Sequence, residues 1–198
     1  MIGSLITVVV VGSASTVTQM QKTRFAAESS KIEMQQKART ILNVVSGFVR
    51  SSGASRQGSV FSAAPYTTSS SLPVPEGSPT SVRVRSDIND DGGVGSGIPE
   101  DVLITWNSAT KVLMVGPTVF QRVQGFTLRY FDSNGSELVP PSGGWNIASD
   151  ASHGMTLRSI VRIEVTINME ARARDLATKQ LATMSLTSEV TIINQVPL

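Results

Sequence analysis

Apolar and polar positions along this chain follow two different rhythms, and the change of rhythm divides it. Residues Met1 to Gln21 carry no charge, and Leu5, Ile6 and Val8 to Val11 form an apolar centre diluted by Gly3, Ser4, Thr7, Gly12, Ser13, Ser15 and Thr16. Beyond Met20, apolar side chains recur at Ile32, Met34, Ala38, Ile41, Leu42, Val45, Phe48 and Val49, with Lys22, Arg24, Glu28, Lys31, Glu33, Gln36, Lys37 and Arg39 between them. Spacings of three and four are those of a helix with one face against a surface. No Pro interrupts the run. One continuous helix is therefore predicted over 1–53, apolar all round over 1–19 and amphipathic over 20–53. Glu33 and Lys37 support it locally, Arg50 suits the dipole of the last turn, and Gly53 is a stop signal.

The next stretch, 54–81, is dense in Ser, Gly and Pro and reads as a connecting loop, with Val60, Phe61 and Tyr66 as its apolar anchors. From 82 to 198 the rhythm becomes that of strands. Val82 to Arg85 alternates, and Val102 to Trp106 and Lys111 to Val115 flank a hairpin turn at Asn107 to Thr110. Phe126 to Phe131 ends in the turn Asp132-Ser133-Asn134-Gly135. Ser159 to Asn168 is the clearest strand, with Val161, Ile163, Val165 and Ile167 on one face and Arg162, Glu164, Thr166 and Asn168 on the other. Met184 to Ile193 repeats the pattern, and Glu170 to Gln180 reads as an exposed connection or a short helix. Strands with no helix between them imply an antiparallel sheet, one face wet and one face packed on the helix. The fold class expected is α+β, a long N-terminal α-helix packed against an antiparallel β-sheet.

Composition narrows the function more than it adds to the fold. With 40% hydrophobic residues the chain can bury a core. A net charge of +2, from 17 basic and 15 acidic side chains scattered through the sequence, does not supply the basic face that nucleic acid requires. The absence of cysteine removes disulfides, thiol catalysis and Cys-ligated metals, and the single histidine, His153, removes paired-His chemistry. No enzyme and no small-molecule substrate are expected.

The uncharged start admits three readings. Gly12-Ser13-Ala14 supplies the small residues of a secretory signal, but no Lys or Arg precedes the apolar centre. A buried core helix is the second, and a membrane anchor is the third. The anchor is favoured by the unbroken passage into an amphipathic helix, which a cleaved signal does not need. A full span takes about 20 apolar residues, more than this run contains.

An apolar segment running into a long amphipathic helix, an irregular connection and a β-rich end resembles the type IV pilins and pseudopilins. Gln35-Gln36-Lys37-Ala38-Arg39, Val49-Arg50-Ser51-Ser52-Gly53 and the final Leu186-Thr187-Ser188-Glu189-Val190-Thr191-Ile192-Ile193-Asn194 are similar to the PilW-type minor pilins. The family's processing motif, a Gly before an apolar start with glutamate at its fifth position, is absent here, and nothing before Glu28 is acidic. The expectation is either a chain truncated ahead of Met1 or a divergent member not processed and assembled in the usual way. The resemblance implies a prepilin-type subunit for type IV pilus assembly or initiation. It would be held in the inner membrane with a periplasmic domain, then carried to the pilus or pseudopilus at the cell surface, its partners other pilins or pseudopilins. A minor pseudopilin of type II secretion shares these features. A secreted calcium-dependent binding module is the alternative of another kind.

One stretch has metal-ligand spacing. Asp87, Asn89 and Asp91, followed by Gly92, open like a calcium loop, in which alternate oxygens converge on a hard cation. Ile98 stands where an EF-hand has its bidentate Glu, and Glu100 and Asp101 follow. The candidate Ca²⁺ ligands are Asp87, Asn89, Asp91, Gly93, Glu100 and Asp101, and calcium-binding pseudopilins make the resemblance point the same way. A solvated acidic turn is the alternative. Gly93 to Gly97 lacks the strand, helix or Lys of a nucleotide loop. His153 beside Asp150 lacks a nucleophile elbow. Trp106 and Trp145 read as core or strand residues, with exposure the alternative for Trp145 in its Pro- and Gly-rich turn, and Arg83 and Arg85 as one solvated strand face.

Overall fold

The computed structural model describes residues 2–54, 72–88, 100–174 and 179–192, with side chains of the first helix described from Val11 onward. That helix, α1, runs from Ile2 to Ser51 without a break. Its buried stripe is Ala27, Ser30, Met34, Ala38, Ile41, Leu42, Val45 and Val49. Ile32, expected in the stripe, is exposed instead. It lies two residues from Met34, which is about 200° around a helix, so it faces away from whatever Met34 covers. Gly53 ends the helix as anticipated: its φ of 77° is open to glycine at little cost. The end is then stitched to the sheet side, Gly53 N–H donating to Arg85 O at 2.8 Å and Ser52 Oγ to Pro73 O at 2.9 Å.

The β part is two antiparallel sheets rather than the single one expected. Strands β1 (Glu76–Ser78), β2 (Ser81–Arg85), β3 (Asp101–Asn107), β4 (Val112–Val115), β5 (Thr118–Gln121) and β8 (Trp145–Asn146) form one, in the order β5-β4-β3-β2-β1-β8. Strands β6 (Val123–Phe131), β7 (Glu137–Leu138), β9 (Arg162–Arg174) and β10 (Leu181–Thr191) form the other, in the order β10-β9-β6-β7. The chain changes sheet at Arg122, a non-glycine residue held at φ 66° between β5 and β6. A short helix, α2 (Gly154–Ser159), precedes β9.

Helix α1 lies on β9 and β10 and touches β2. The inward residues of β9, Ile163, Val165, Ile167, Met169 and Ala171, are all buried, in line with the strict alternation seen in the sequence. The strand begins at Arg162 because Gly154 to Ser159 turns helical, burying Leu157. It continues to Arg174, so Glu170 to Arg174 is strand rather than connection. Alternation persists there through small Ala171 and Ala173, which are weak strand formers and disguise it. Residues 175–178 of that connection lie outside the described residues.

Within the stretch read as loop, Leu72 and Val74 are buried and Glu76–Ser78 pairs with β2 and β8. Gly77 admits the rings beside it: a Cβ there would stand 3.3 Å from both Trp145 and Tyr130. Those rings meet edge to face at 5.3 Å and 70°. Trp145 is accordingly a buried strand residue, and the exposure that its Pro- and Gly-rich neighbours also allowed is not found. The Tyr130 hydroxyl donates to Ser78 O at 2.7 Å, and burial raises its pKa, with that hydrogen bond opposing. Val60, Phe61 and Tyr66 lie outside the described residues.

Candidate functional site

Helix α1 changes character along its length. From Val11 to Ala26 every residue is exposed, and the first buried side chains are Ala27 and Ser30. Ser30 marks the point of departure from the sheet. Its hydroxyl accepts from Arg172 N–H at 2.6 Å and from Ala173 N–H at 3.0 Å, so the end of β9 is tied directly to the helix. Nothing in the pattern of the chain marks Ser30, which sits among polar residues on an amphipathic helix.

The exposed half sets large apolar side chains among polar ones. Val11, Val17, Met20 and Phe25 all face solvent, Phe25 at 75%, and Ile32 follows at 55%. Phe25 and Ile32 are seven residues apart, about two turns, and so share the face turned away from the sheet. The three threonines of this half bond back to the helix itself. Thr16 Oγ1 donates to Gly12 O at 3.0 Å, Thr18 Oγ1 to Ala14 O at 2.9 Å and Thr23 Oγ1 to Gln19 O at 2.8 Å. Such back-bonding leaves these donors satisfied without water. Among the described residues, no helix is long and apolar enough to cross a membrane.

The acidic loop is placed only at its two ends. The Ser86 N–H donates to Glu100 O at 2.9 Å, which closes the base of the loop and sets Asp87 and Glu100, exposed by 3% and 5%, at its mouth. Asn89, Asp91 and Gly93 lie outside the described residues, as do Gly92 and Ile98. Among the described residues, no group of three or more His, Asp or Glu side chains converges as a metal site. Asp101 has other company. Its Oδ1 accepts from Arg83 Nη1 at 3.1 Å and its Oδ2 from Arg85 Nη2 at 2.9 Å, while Arg83 Nε reaches Glu76 Oε1 at 2.9 Å. Desolvation works against the charged Arg83, but the Asp101 hydrogen bond and the two carboxylate charges outweigh it and raise its pKa. Arg83 and Arg85 therefore belong to a partly buried ion-pair ladder rather than a bare solvated face.

His153 closes a turn. Its Nε2 lies 3.7 Å from Asp150 Oδ2, and Asp150 Oδ1 accepts from Ser152 N–H at 2.9 Å. Trp106 is the strand residue expected, its Nε1–H donating to Val123 O at 2.8 Å. Gly93 to Gly97 lies outside the described residues.

No family model, no curated protein and no solved structure matches this chain.

Proposed function

We propose that this protein is a structural subunit of the minor pilin kind, which acts by assembly through the outer half of α1 and not by catalysis. The observation that carries the reading is the division of one unbroken helix near Ala27. On one side the sheets grip it, and on the other Val11, Val17, Met20 and Phe25 stand in solvent on a stretch that carries no charge before Lys22 and Arg24. Such a surface gains roughly 25 cal/mol for each Å² withdrawn from water. Lipid tails or the helices of neighbouring subunits would both provide that burial, and the internally bonded Thr16, Thr18 and Thr23 suit either. The reading places the rod in the inner membrane and then in the core of a filament, with the sheets carried on the periplasmic or outer side. A pseudopilin of type II secretion would use the same division.

The test is Val17→Lys in the full chain. The variant should lose binding to phosphatidylglycerol–phosphatidylethanolamine vesicles and recovery in surface filaments, while the melting temperature of the sheets is unchanged. Wild-type behaviour of Val17→Lys in both assays would overturn the reading.

Calcium is a second reading, favoured by two nearly buried carboxylates, Asp87 and Glu100, at the mouth of one loop. A cation there would draw on Asp87 and Glu100 together with Asn89, Asp91 and the Gly93 carbonyl. Calorimetric titration decides it: saturable heat with a raised melting temperature supports the site, and no heat at millimolar Ca²⁺ discards it.

A further inference from the structure

The four-stranded sheet ends in its second-longest strand. Strand β10 pairs along one side with β9, from Leu181 to Thr191, and among the described residues nothing pairs with its other side. An edge of eleven residues is long for a protein that stays alone, because its outer N–H and C=O groups are a template for another strand. Two of the usual protections, Pro and Lys, are missing from it, and the one irregularity of register lies at its start, between Leu181 and Thr183. Its one charge, Glu189, is already paired with Arg162 Nη1 at 2.9 Å. The core is also unsealed along this margin, since Ala182, Met184 and Leu186 point inward yet are only half-buried.

We infer that β10 is an interface that accepts β10 of a second copy, antiparallel, about a two-fold axis through Leu186. The sequence is complementary to itself in that register. Leu186 meets Leu186, Ser185 meets Thr187, Met184 meets Ser188, Thr183 meets Glu189, Ala182 meets Val190 and Leu181 meets Thr191. Exposed residues oppose exposed ones and inward residues oppose inward ones, because the side-chain period is two and the axis passes through a residue. Glu189 faces a threonine, and the two Glu189 side chains stand about 20 Å apart at about 3.4 Å per residue. Pairing joins the two sheets edge to edge, covers the half-exposed Met184 and Leu186, and puts both helices on one face. The two-fold axis also reverses the helices, so the projecting halves point away from each other. This dimer therefore excludes the joint packing of two rods in one bundle, and it is a separate association from the one proposed above.

Hydrogen exchange on the full chain in mild detergent, read across a hundredfold concentration range, tests it with two variants at exposed positions. Outward β10 amides of the wild type should slow at least tenfold as concentration rises. Ser185→Lys/Thr187→Lys sets lysine against lysine twice and should abolish the slowing, while Ser185→Glu/Thr187→Lys sets glutamate against lysine twice and should restore it. Exchange in β10 that ignores concentration, whether fast or slow, would overturn the inference, as would equal behaviour of the two variants. Association driven by α1 would change the mass of the particles in all three proteins and leave β10 exchange unmoved.

Discussion

Replacing Ile41 by Ala probes the grip of the sheets on α1 at its centre. Ile41 is fully buried in the cluster that joins the helix to β9 and β10. The change removes three carbons, worth about 2.4 kcal/mol in transfer at about 0.8 kcal/mol each, and leaves a cavity that the packed sheet only partly closes. The expected loss is about 3–4 kcal/mol, a large part of the 5–15 kcal/mol that stabilises an ordinary domain. Val17→Ala removes the same kind of surface from the same helix, but at an exposed position. Its cost should stay within about 0.5 kcal/mol. Urea unfolding of the full chain in mild detergent separates the two, with the fluorescence of Trp106 and buried Trp145 reporting on the sheets. The midpoint should fall for Ile41→Ala with little change of slope. Equal losses for the two variants, or a loss below about 1 kcal/mol for Ile41→Ala, would refute the division of the helix.

Three further outcomes follow from single contacts. Ser30→Ala strips the acceptor from two backbone N–H groups of β9 and should cost about 1–2 kcal/mol in the same unfolding experiment. Faster exchange of the Arg172 and Ala173 amides should accompany that loss. Tyr130→Phe keeps the ring against Trp145 but leaves the half-buried Ser78 carbonyl without the Tyr130 hydroxyl, and should cost about 1 kcal/mol. Acid should weaken the fold in a definite direction. The Arg129 hydrogen bond holds Glu137 below its ordinary 4.5, and hydrogen bonds from Ser152 hold Asp150 below 3.8. Carboxyls depressed in the folded state contribute stability that is complete above those ordinary values and is lost as pH falls through the lower, folded ones. Thermal melts should therefore be flat near neutrality and fall in strong acid, with a shallower fall for Glu137→Gln.

The parts of the fold that were legible in the sequence are those where one period persists. Ile163, Val165 and Ile167 alternate with charged neighbours, and Met34, Ala38, Ile41 and Val45 keep helical spacing, so both elements and their packed faces could be read directly. Boundaries failed where the side chains were small. Ala171 and Ala173 prolong β9 without advertising it, and Gly77 makes β1 look like loop although its missing side chain is what admits Tyr130 and Trp145. Ile32 failed for another reason: hydrophobicity alone does not say which side of a helix is covered. The second sheet was hidden because short β1 and β8 declare themselves only through partners distant in sequence. Of the candidate metal residues, Asp101 was drawn into the set by its position after Glu100. Its pairing with Arg83 and Arg85 depends on strand register that spacing along the chain does not reveal.

The most direct test uses the absence of native cysteine. Single cysteines at Val17 and Val45 of the full chain would be reacted with a maleimide, first dispersed in mild detergent and then after reconstitution into vesicles or filaments. The account predicts that Val17→Cys reacts quickly when dispersed and at least tenfold more slowly once assembled, and that Val45→Cys is protected throughout. A Val17→Cys already protected in the dispersed chain, or equally reactive before and after assembly, would contradict it.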